Sequence, residues 1–428
     1  MIVPSIDIQD GSTVQLIGGR EKALDAGDPR TVAASFAPAG TVAVIDLDAA
    51  MGRGDNATII AEIVRHHRVR VGGGIRTVEA ARRWLDLGAE AVILGTAARP
   101  ELHRQRPRER VVAAVDAIDG EVVVEGWTTR TGAGLLDTVR SLAPHVGGFL
   151  VTFVEREGRL GGTALEQVPA IVAAAGQARV TIAGGVTTAA EVAQLDRMGA
   201  DAQVGMALYT GRLSLAEAVS APLVSDRPDG LWPTLVCDPH GVSLGLAWSN
   251  LESLSAALER GRGVYWSRRR GLWEKGATSG AGQRLLRVDA DCDRDALRFV
   301  VEQAGPGFCH EHTWSCFGET QGLGALDRTL QARAAAPPPG SYTARLLDDP
   351  DLLRAKLMEE SGELMAASEP SHVAEEAADL LYFTLVAAAR QGVSLTDIVR
   401  VLDRRALRTT RRKGDAKPPP PLPRGDAP

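Results

Sequence analysis

Over residues 1–223, short apolar runs recur at 2–8, 42–48, 68–73, 90–95, 111–116, 148–153, 178–183 and 202–205. They are rich in Val, Ile and Ala and do not alternate cleanly with polar residues, the pattern of strands buried on both faces. Most are followed by segments with helical apolar spacing, such as Ala57 to His66, Val78 to Leu87 and Ala189 to Met198. Eight strand–helix units in about 220 residues predict a (β/α)8 barrel. From about Ser225 the texture changes. DRPDGLWPTLVCDPHG opens a stretch of β-rich runs and turn glycines extending to Gly318. Beyond a loop with AAAPPPG (334–340), residues 342–412 are almost purely helical in pattern. The expected organisation is multidomain: an α/β (β/α)8 barrel over 1–223, a β-rich α+β domain over 225–320 and an all-α helical domain over 324–417. A proline-rich tail, 418–428, is expected to be disordered.

An internal repeat sharpens the first part. VGGGIRTVEAARRWLDLGAEA (71–91) matches IAGGVTTAAEVAQLDRMGADA (182–202) at a constant offset of 111, and IDIQDG (6–11) matches VDAIDG (115–120) at 109. Strands 1, 3 and 4 thus resemble strands 5, 7 and 8, the mark of a doubled half-barrel.

The chain has 428 residues, of which 44% are hydrophobic and 24% charged, enough for more than one core. The net charge of -6, with acidic and basic residues mixed along the chain, gives no electrostatic drive toward nucleic acid. No apolar stretch is long enough to cross a membrane, and MIVPSIDIQDG lacks the basic region of a signal peptide, so the expectation is a cytoplasmic protein. Four cysteines are too few for a disulfide framework, and three of them, Cys292, Cys309 and Cys316, are clustered.

In a barrel of this kind, strand C-termini build the site. Asp7 and Asp116 each end an apolar strand, and the repeat sets them on opposite sides of the mouth, where two carboxylates can divide acid and base work. Gly73 and Gly74, Gly184 and Gly185, Gly95 with Thr96, and Gly205 with Met206 form two nests of backbone amides suited to a substrate with a phosphate at each end. The bland alternative is structural aspartates and packing glycines. PSIDIQDG, VIDLDAAMG, VGGGIRT, VILGTA, VVVEGW and VTIAGGV together resemble the phosphoribosylformimino-aminoimidazole-carboxamide ribotide isomerases of histidine biosynthesis over about residues 1–222. The resemblance implies a ribose-opening Amadori rearrangement with Asp7 as base, Asp116 as ring-opening acid and Thr152 supporting the substrate. Gln15 and Met206 stand where that family usually has Arg, Phe153 where it has a polar residue, and EREGRLGG replaces its Arg-Asp-Gly-Thr loop. Loss of polarity at Phe153 and Met206 motivates a second reading, in which the barrel is a silent scaffold or ligand-binding module.

In the middle region, DADCDRD (289–295) precedes GFCHEHTWSCFG (307–318). Asp291, Asp293 and Asp295 alternate with period two, so an extended segment presents them on one face to a hard cation such as Mg2+. Cys292, Cys309 and Cys316 offer three thiolates to a zinc ion with an open position for an activated water, and His310 is placed to shuttle its proton. With GRGVYWSRRRGLWEKGATSG (261–280) this block resembles phosphoribosyl-AMP cyclohydrolases over about 226–320. The resemblance implies Ser267, Arg268, Trp273, Lys275, Thr278 and Ser279 near the nucleotide, and a homodimer whose zinc site draws cysteines from both chains.

In the last region, KLMEESGELMAA (356–367) places Glu359, Glu360 and Glu363 at helical i,i+3 and i,i+4 spacing, and Glu376 pairs with Asp379. A solvated acidic face is one explanation; a bound Mg2+ is the other. EExxE followed by ExxD resembles phosphoribosyl-ATP pyrophosphohydrolases over about 324–417. That implies Glu360, Glu363, Glu376 and Asp379 as Mg2+ ligands, Glu359 and Glu363 in catalysis, and Lys356 and the basic run Arg411-Arg412-Lys413 near phosphates. The three resemblances are consecutive steps of one pathway, so the expected ligands are small phosphoribosyl nucleotides, with Zn2+ and Mg2+ as cofactors.

Overall fold

The computed structural model describes residues 1–19, 21–95, 107–318 and 320–410. Thr96, the basic run 411–413 and the tail 418–428 lie outside the described residues.

The first region is a closed barrel. Its parallel strands are β1 (Ile2–Gln9), β4 (Val42–Asp46), β5 (Val69–Gly72), β6 (Ala91–Leu94), β7 (Val111–Ile118), β10 (Gly148–Phe153), β11 (Arg179–Ala183) and β12 (Ala200–Val204). The ring closes through the β12–β1 and β7–β10 pairings. Two hairpins extend it: β2 (Ser12–Ile17) with β3 (Glu21–Gly27) after β1, and β8 (Glu121–Val124) with β9 (Thr129–Gly134) after β7. Neither hairpin is predicted by the apolar pattern, because β3 and β9 bury almost nothing.

Strand parity sorts the barrel residues. Ile2, Ile6 and Ile8 join the large cluster between strands and helices, whereas Val3, Ala43, Ile93, Val112, Leu150 and Ala183 form a second, smaller cluster. Asp7, Asp116 and Thr152 share the parity of this second set. Phe153 has the opposite parity and is 1% exposed in the large cluster. It therefore faces the helix layer rather than the mouth, which removes one motive for regarding the barrel as silent. Met206 is buried at the start of the short helix Met206–Tyr209.

The middle region holds a four-stranded sheet of β13 (Trp232–Cys237), β14 (Ser243–Ser249), β17 (Gln283–Ala290) and β18 (Leu297–Gln303), in the order β14-β13-β18-β17. A two-stranded ribbon, β15 (Val264–Ser267) and β16 (Gly271–Glu274), lies beside it. The helix Leu251–Arg260 packs on this core with Tyr265, Phe299 and Phe308. The C-terminal region is helical: Leu323–Ala335, Tyr342–Asp348, Pro350–Ala366, Pro370–Arg390 and Leu395–Ala406. Its core gathers Leu330, Leu346, Leu353, Phe383, Val386 and Leu395.

Side chains tie the three regions together. Arg294 of the middle region pairs with Asp196 of the barrel. Arg328 of the first C-terminal helix lies 4.0 Å over the Trp314 ring and 3.7 Å from Asp238. Asp86 of the barrel accepts hydrogen bonds from Thr409 and Thr410, and the Arg110 guanidinium donates to the Leu407 carbonyl.

Candidate functional site

The repeat places the barrel aspartates equivalently. Asp7 pairs in register with Val14 and Ile45, and Asp116 with Val123 and Thr152. Each is followed by an Asp-Gly turn in left-handed backbone, Asp10 (φ 50) with Gly11 (φ 78) and Asp119 (φ 52) with Gly120 (φ 79), which starts the hairpin. The hairpins meet: a Cβ on Gly19 would lie 2.5 Å from the Trp127 ring. Trp127 hydrogen-bonds the Asp116 carboxylate, as does Thr152. These bonds oppose the effect of burial, which dominates and raises the Asp116 carboxyl above its usual range. Asp7 is pushed up to about 6 by burial, offset in part by Ser5. The Tyr209 hydroxyl donates to the Ser5 carbonyl (2.9 Å), and its own ionisation is suppressed by burial and by the Asp7 charge.

A third carboxylate joins them that the sequence reading did not single out. Glu157, on the loop after β10, is pushed up to about 8, first by burial and then by the charges of Asp7 and Asp116. Its loop is pressed onto the first hairpin: Gly18 N–H donates to the Glu157 carbonyl, and a Cβ on Gly158 would lie 2.5 Å from the Leu16 carbonyl oxygen. The signal was present in EREGRLGG, as an acidic residue within a loop following a barrel strand.

The glycine pairs are equivalent too. A Cβ on Gly73 would meet the Asp46 carbonyl at 2.1 Å, and one on Gly184 would meet that of Phe153 at 2.5 Å. Each pair leads into a helix capped by a threonine, Thr77 or Thr188. Close packing thus demands these glycines, while the following helix N-termini still suit anions. Gln15 is buried against Gly205, where a Cβ would lie 2.5 Å from Gln15 Oε1. Gly95 ends the described part of its loop, with nothing crowding it among the described residues.

In the middle region, Cys309 and Cys316 come together, but Cys292 does not join them within the chain. Cys309 is lowered, chiefly by hydrogen bonds from the Glu311 backbone and Thr313, while Cys316 is pushed up to about 11 by partial burial and by Cys309 beside it. Two neighbouring sulfurs suit a soft or borderline cation. His310 Nδ1 lies 3.9 Å from Cys309 Sγ. Lys275, expected near the nucleotide, lies beside the two thiols. It is buried, and its Nζ donates to the Ala281 carbonyl (3.2 Å). Thr278 and Ser279 remain exposed. Ser267 Oγ caps the Arg270 amide, Arg268 lies over Trp248, and Trp273 stacks near Tyr265.

Asp291, Asp293 and Asp295 do cluster, with one oxygen from each within 4.8 Å of the others. The geometry differs from the expected extended face. The segment is a tight turn between β17 and β18, in which Asp291 Oδ1 accepts from the Asp295 and Ala296 amides and Arg294 is left-handed (φ 66). The chain reversal, rather than strand period, brings the carboxylates together.

In the helical region, Glu359, Glu360 and Glu363 form one cluster and Glu360, Glu376 and Asp379 another, each within 4.8 Å. Three of these carboxylates have cationic partners. Lys356 Nζ lies 2.9 Å from Glu359 and 2.8 Å from Glu360, and His372 lies 2.9 Å from Glu376. Lys356 is therefore engaged with carboxylates rather than reaching outward. Glu376 Oε2 is buried with no hydrogen-bond partner among the described residues. An orphaned carboxylate oxygen inside an all-oxygen donor set fits a hard divalent cation.

Among known proteins, the family model described as "Histidine biosynthesis protein" matches residues 1–214, that of phosphoribosyl-AMP cyclohydrolase 245–318 and that of phosphoribosyl-ATP pyrophosphohydrolase 323–406. An imidazole-4-carboxamide isomerase of Natronomonas pharaonis is 40% identical over 233 residues, covering 51% of this chain and 97% of that protein. The histidine biosynthesis bifunctional protein his7 of Schizosaccharomyces pombe is 53% identical over 206 residues, covering 48% of this chain and 49% of the relative. The histidine biosynthesis trifunctional protein of Saccharomyces cerevisiae is 48% identical over 206 residues, covering 48% and 26%. The chain thus spans only a quarter to a half of these fungal relatives. With half its length matched by one family model and nearly all of an archaeal relative covered, the chain belongs to the histidine biosynthesis protein family, followed by cyclohydrolase and pyrophosphohydrolase regions.

Proposed function

We propose that the chain catalyses three consecutive steps of histidine biosynthesis. Its helical region cleaves phosphoribosyl-ATP to phosphoribosyl-AMP and pyrophosphate, its middle region opens the purine ring by hydrolysis, and its barrel isomerises the product. The observation that carries the barrel assignment is the convergence of three carboxylates, Asp7, Asp116 and Glu157, at the ends of two repeat-related strands and the loop after β10, where burial raises all three, Asp7 to about 6 and Glu157 to about 8. Near neutrality Asp7 is mainly ionised and serves as the base that moves a proton between carbons. Glu157 keeps its proton and, beside Asp116, supplies the acid that opens the ribose ring. Trp127 and Thr152 hold Asp116 in place. The glycine nests, with Thr96 and Gly205, receive the two phosphates.

For the ring-opening step, Cys309 and Cys316 supply two sulfurs of a zinc site, and Cys292 of a second copy completes it. A homodimer is part of this reading: Cys292 is exposed, and among the described residues it forms no cluster within 4.8 Å with the other two cysteines. Zinc supplies Lewis-acid activation of water. His310 passes the proton, and Lys275 sets the charge beside the thiols. Ser267, Arg268, Trp273, Thr278 and Ser279 meet the nucleotide, and the Asp291, Asp293 and Asp295 turn holds Mg2+. In the helical region Glu360, Glu363, Glu376 and Asp379 hold Mg2+, with Glu359 and Glu363 acting on the phosphate chain once Lys356 releases its carboxylates to meet it. A reducing cytoplasm keeps the thiols available.

The second reading, a silent barrel, rests on the polarity lost at Met206, since Phe153 faces away from the mouth. Feeding phosphoribosyl-ATP to the purified protein and identifying the products decides between them. Accumulation of the unisomerised ribotide, unchanged by Asp7→Asn, favours the scaffold; its conversion, abolished by Asp7→Asn, favours the isomerase.

A further inference from the structure

We propose that the barrel also serves the ring-opening site, with Asp196 acting through Arg294 as a positioning residue for the turn that carries Cys292. The inference rests on reading the cysteines as metal ligands. Arg294 sits between Asp293 and Asp295 in left-handed backbone (φ 66), a region that residues with a branched or long side chain rarely adopt. Something must hold it there, and the structure provides three restraints. The guanidinium grips Asp196 with two nitrogens, Nη2 to Oδ1 at 3.0 Å and Nε to Oδ2 at 3.3 Å. Its third nitrogen, Nη1, donates to the Asp291 carbonyl at 2.8 Å, across the turn. The Arg294 carbonyl accepts from the Val224 amide at 2.8 Å, in the segment leaving the barrel.

Docking and turn shape are thus set by one side chain. A two-pronged guanidinium–carboxylate pair fixes orientation as well as distance, and Arg294 transmits that orientation to both flanks of Cys292. Asp196 lies at the end of the barrel helix Ala189–Arg197, is 16% exposed and also receives the Met1 ammonium at 3.0 Å. Its position is therefore anchored within the barrel. The middle region's own residues supply the cysteines and aspartates, while the barrel supplies their frame.

The test compares full-length wild type with Asp196→Asn, Asp196→Glu and Arg294→Gln. Each is titrated with Co2+ while the thiolate-to-cobalt absorption is followed, and ring opening, pyrophosphate release and thermal melting are measured in parallel. Partners that orient ligands typically change metal affinity or activity by about 10–100-fold. Asp196→Asn is expected to weaken Co2+ binding and slow ring opening by about tenfold, with pyrophosphate release unchanged. Asp196→Glu is expected to restore most of both. Co2+ affinity and ring opening within twofold of wild type in Asp196→Asn overturn the proposal. If Asp196→Asn loses its melting transition, Arg294→Gln, which leaves the barrel intact, decides on the same criterion. Absence of a thiolate–cobalt band in wild type overturns the ligand reading, and the proposal with it; a band indifferent to these substitutions overturns the proposal alone.

Discussion

Thr152 and Asp116 are register partners on adjacent parallel strands, and the Thr152 hydroxyl bonds the Asp116 carboxylate. At the equivalent place in the other half of the barrel, Asp7 has Ile45 as its parallel partner. The pseudo-symmetry fixes both aspartates in the same geometry, and the side chain on the neighbouring strand makes them chemically unequal. Asp116 is held by hydroxyl and indole donors, whereas Asp7 has, among the described residues, only Ser5, at 3.4 Å. Unequal environments are what allow two carboxylates to take different roles.

The first consequence is a bell-shaped pH dependence for isomerisation. A base at about 6 and an acid at about 8 give a rate rising through the first value and falling through the second. Glu157→Gln removes the alkaline limb and lowers the maximal rate by roughly 10²-fold, the lower end of general-acid contributions. Stability carries a matching sign. Both acids bind protons more tightly folded than unfolded, with ordinary values of 3.8 and 4.5, so folding stability declines as pH rises from about 4 through about 8. Glu157→Gln flattens that decline toward its alkaline end. A pH–rate profile with its alkaline limb intact in Glu157→Gln, or melting curves with an unaltered pH slope, contradicts this account.

Trp127→Phe isolates the indole hydrogen bond while keeping an aromatic ring against Gly19. Loss of a hydrogen bond to a charged group costs roughly 1.5–3 kcal/mol, so the isomerisation rate should fall about 10- to 100-fold. Because that bond favours the ionised form, the Asp116 carboxyl should rise further. Carboxyl titration by NMR, alongside kinetics, checks both. An unshifted Asp116 with a normal rate removes Trp127 from the site.

Much of this was legible in the chain. Buried strands such as Val111–Ile118 read as continuous apolar runs, and the helices at Ala57–His66 and Val78–Leu87 follow the 3.6-residue period closely. The repeat located Asp7 and Asp116 because similar local sequences fold alike. The two hairpins escaped because β3 and β9 are nearly all exposed and have no apolar alternation; only Asp10-Gly11 and Asp119-Gly120 signal the turns. Glu157 escaped because its chemistry comes from Asp7 and Asp116, which are remote in sequence. The Asp291 turn was misread as a strand face because a period-two spacing does not distinguish extension from reversal, which Arg294 and its barrel partner impose. Lys356 was assigned to phosphate because its pairing with Glu359 and Glu360 depends on rotamers that spacing alone does not fix.

Metal removal should separate the activities. With sulfur donors at Cys309 and Cys316 and oxygen donors around Glu360, exhaustive chelation is expected to silence ring opening and pyrophosphate release while sparing isomerisation, whose residues include no metal cluster among the described residues. Zn2+ together with Mg2+ should restore the first, and Mg2+ alone the second. Cys309→Ser should abolish ring opening and drop bound zinc by one equivalent per site. Retained zinc with full activity in that variant, measured by elemental analysis, contradicts the ligand role.

Glu376→Gln should move stability and activity in opposite directions. Glu376 Oε2 is buried without a partner among the described residues, and Glu360 and Asp379 crowd the same cluster, so without a cation the site stores like-charge repulsion. Replacing this carboxylate with an amide relieves some of it, and the metal-free protein should be more stable by about 1 kcal/mol, the scale of typical single-site effects. The same change removes a ligand, so pyrophosphate release should fall by at least about 10²-fold while ring opening persists. Mg2+ adds the other half of the test. A cation that binds the folded form raises stability by RT ln(1 + [L]/Kd), about 2.7 kcal/mol at a hundredfold excess over Kd. Wild type should therefore melt at a higher temperature with added Mg2+, and Glu376→Gln should gain less. Equal Mg2+ stabilisation in both proteins would assign the cluster to a solvated acidic face, with Lys356 and His372 as counter-charges.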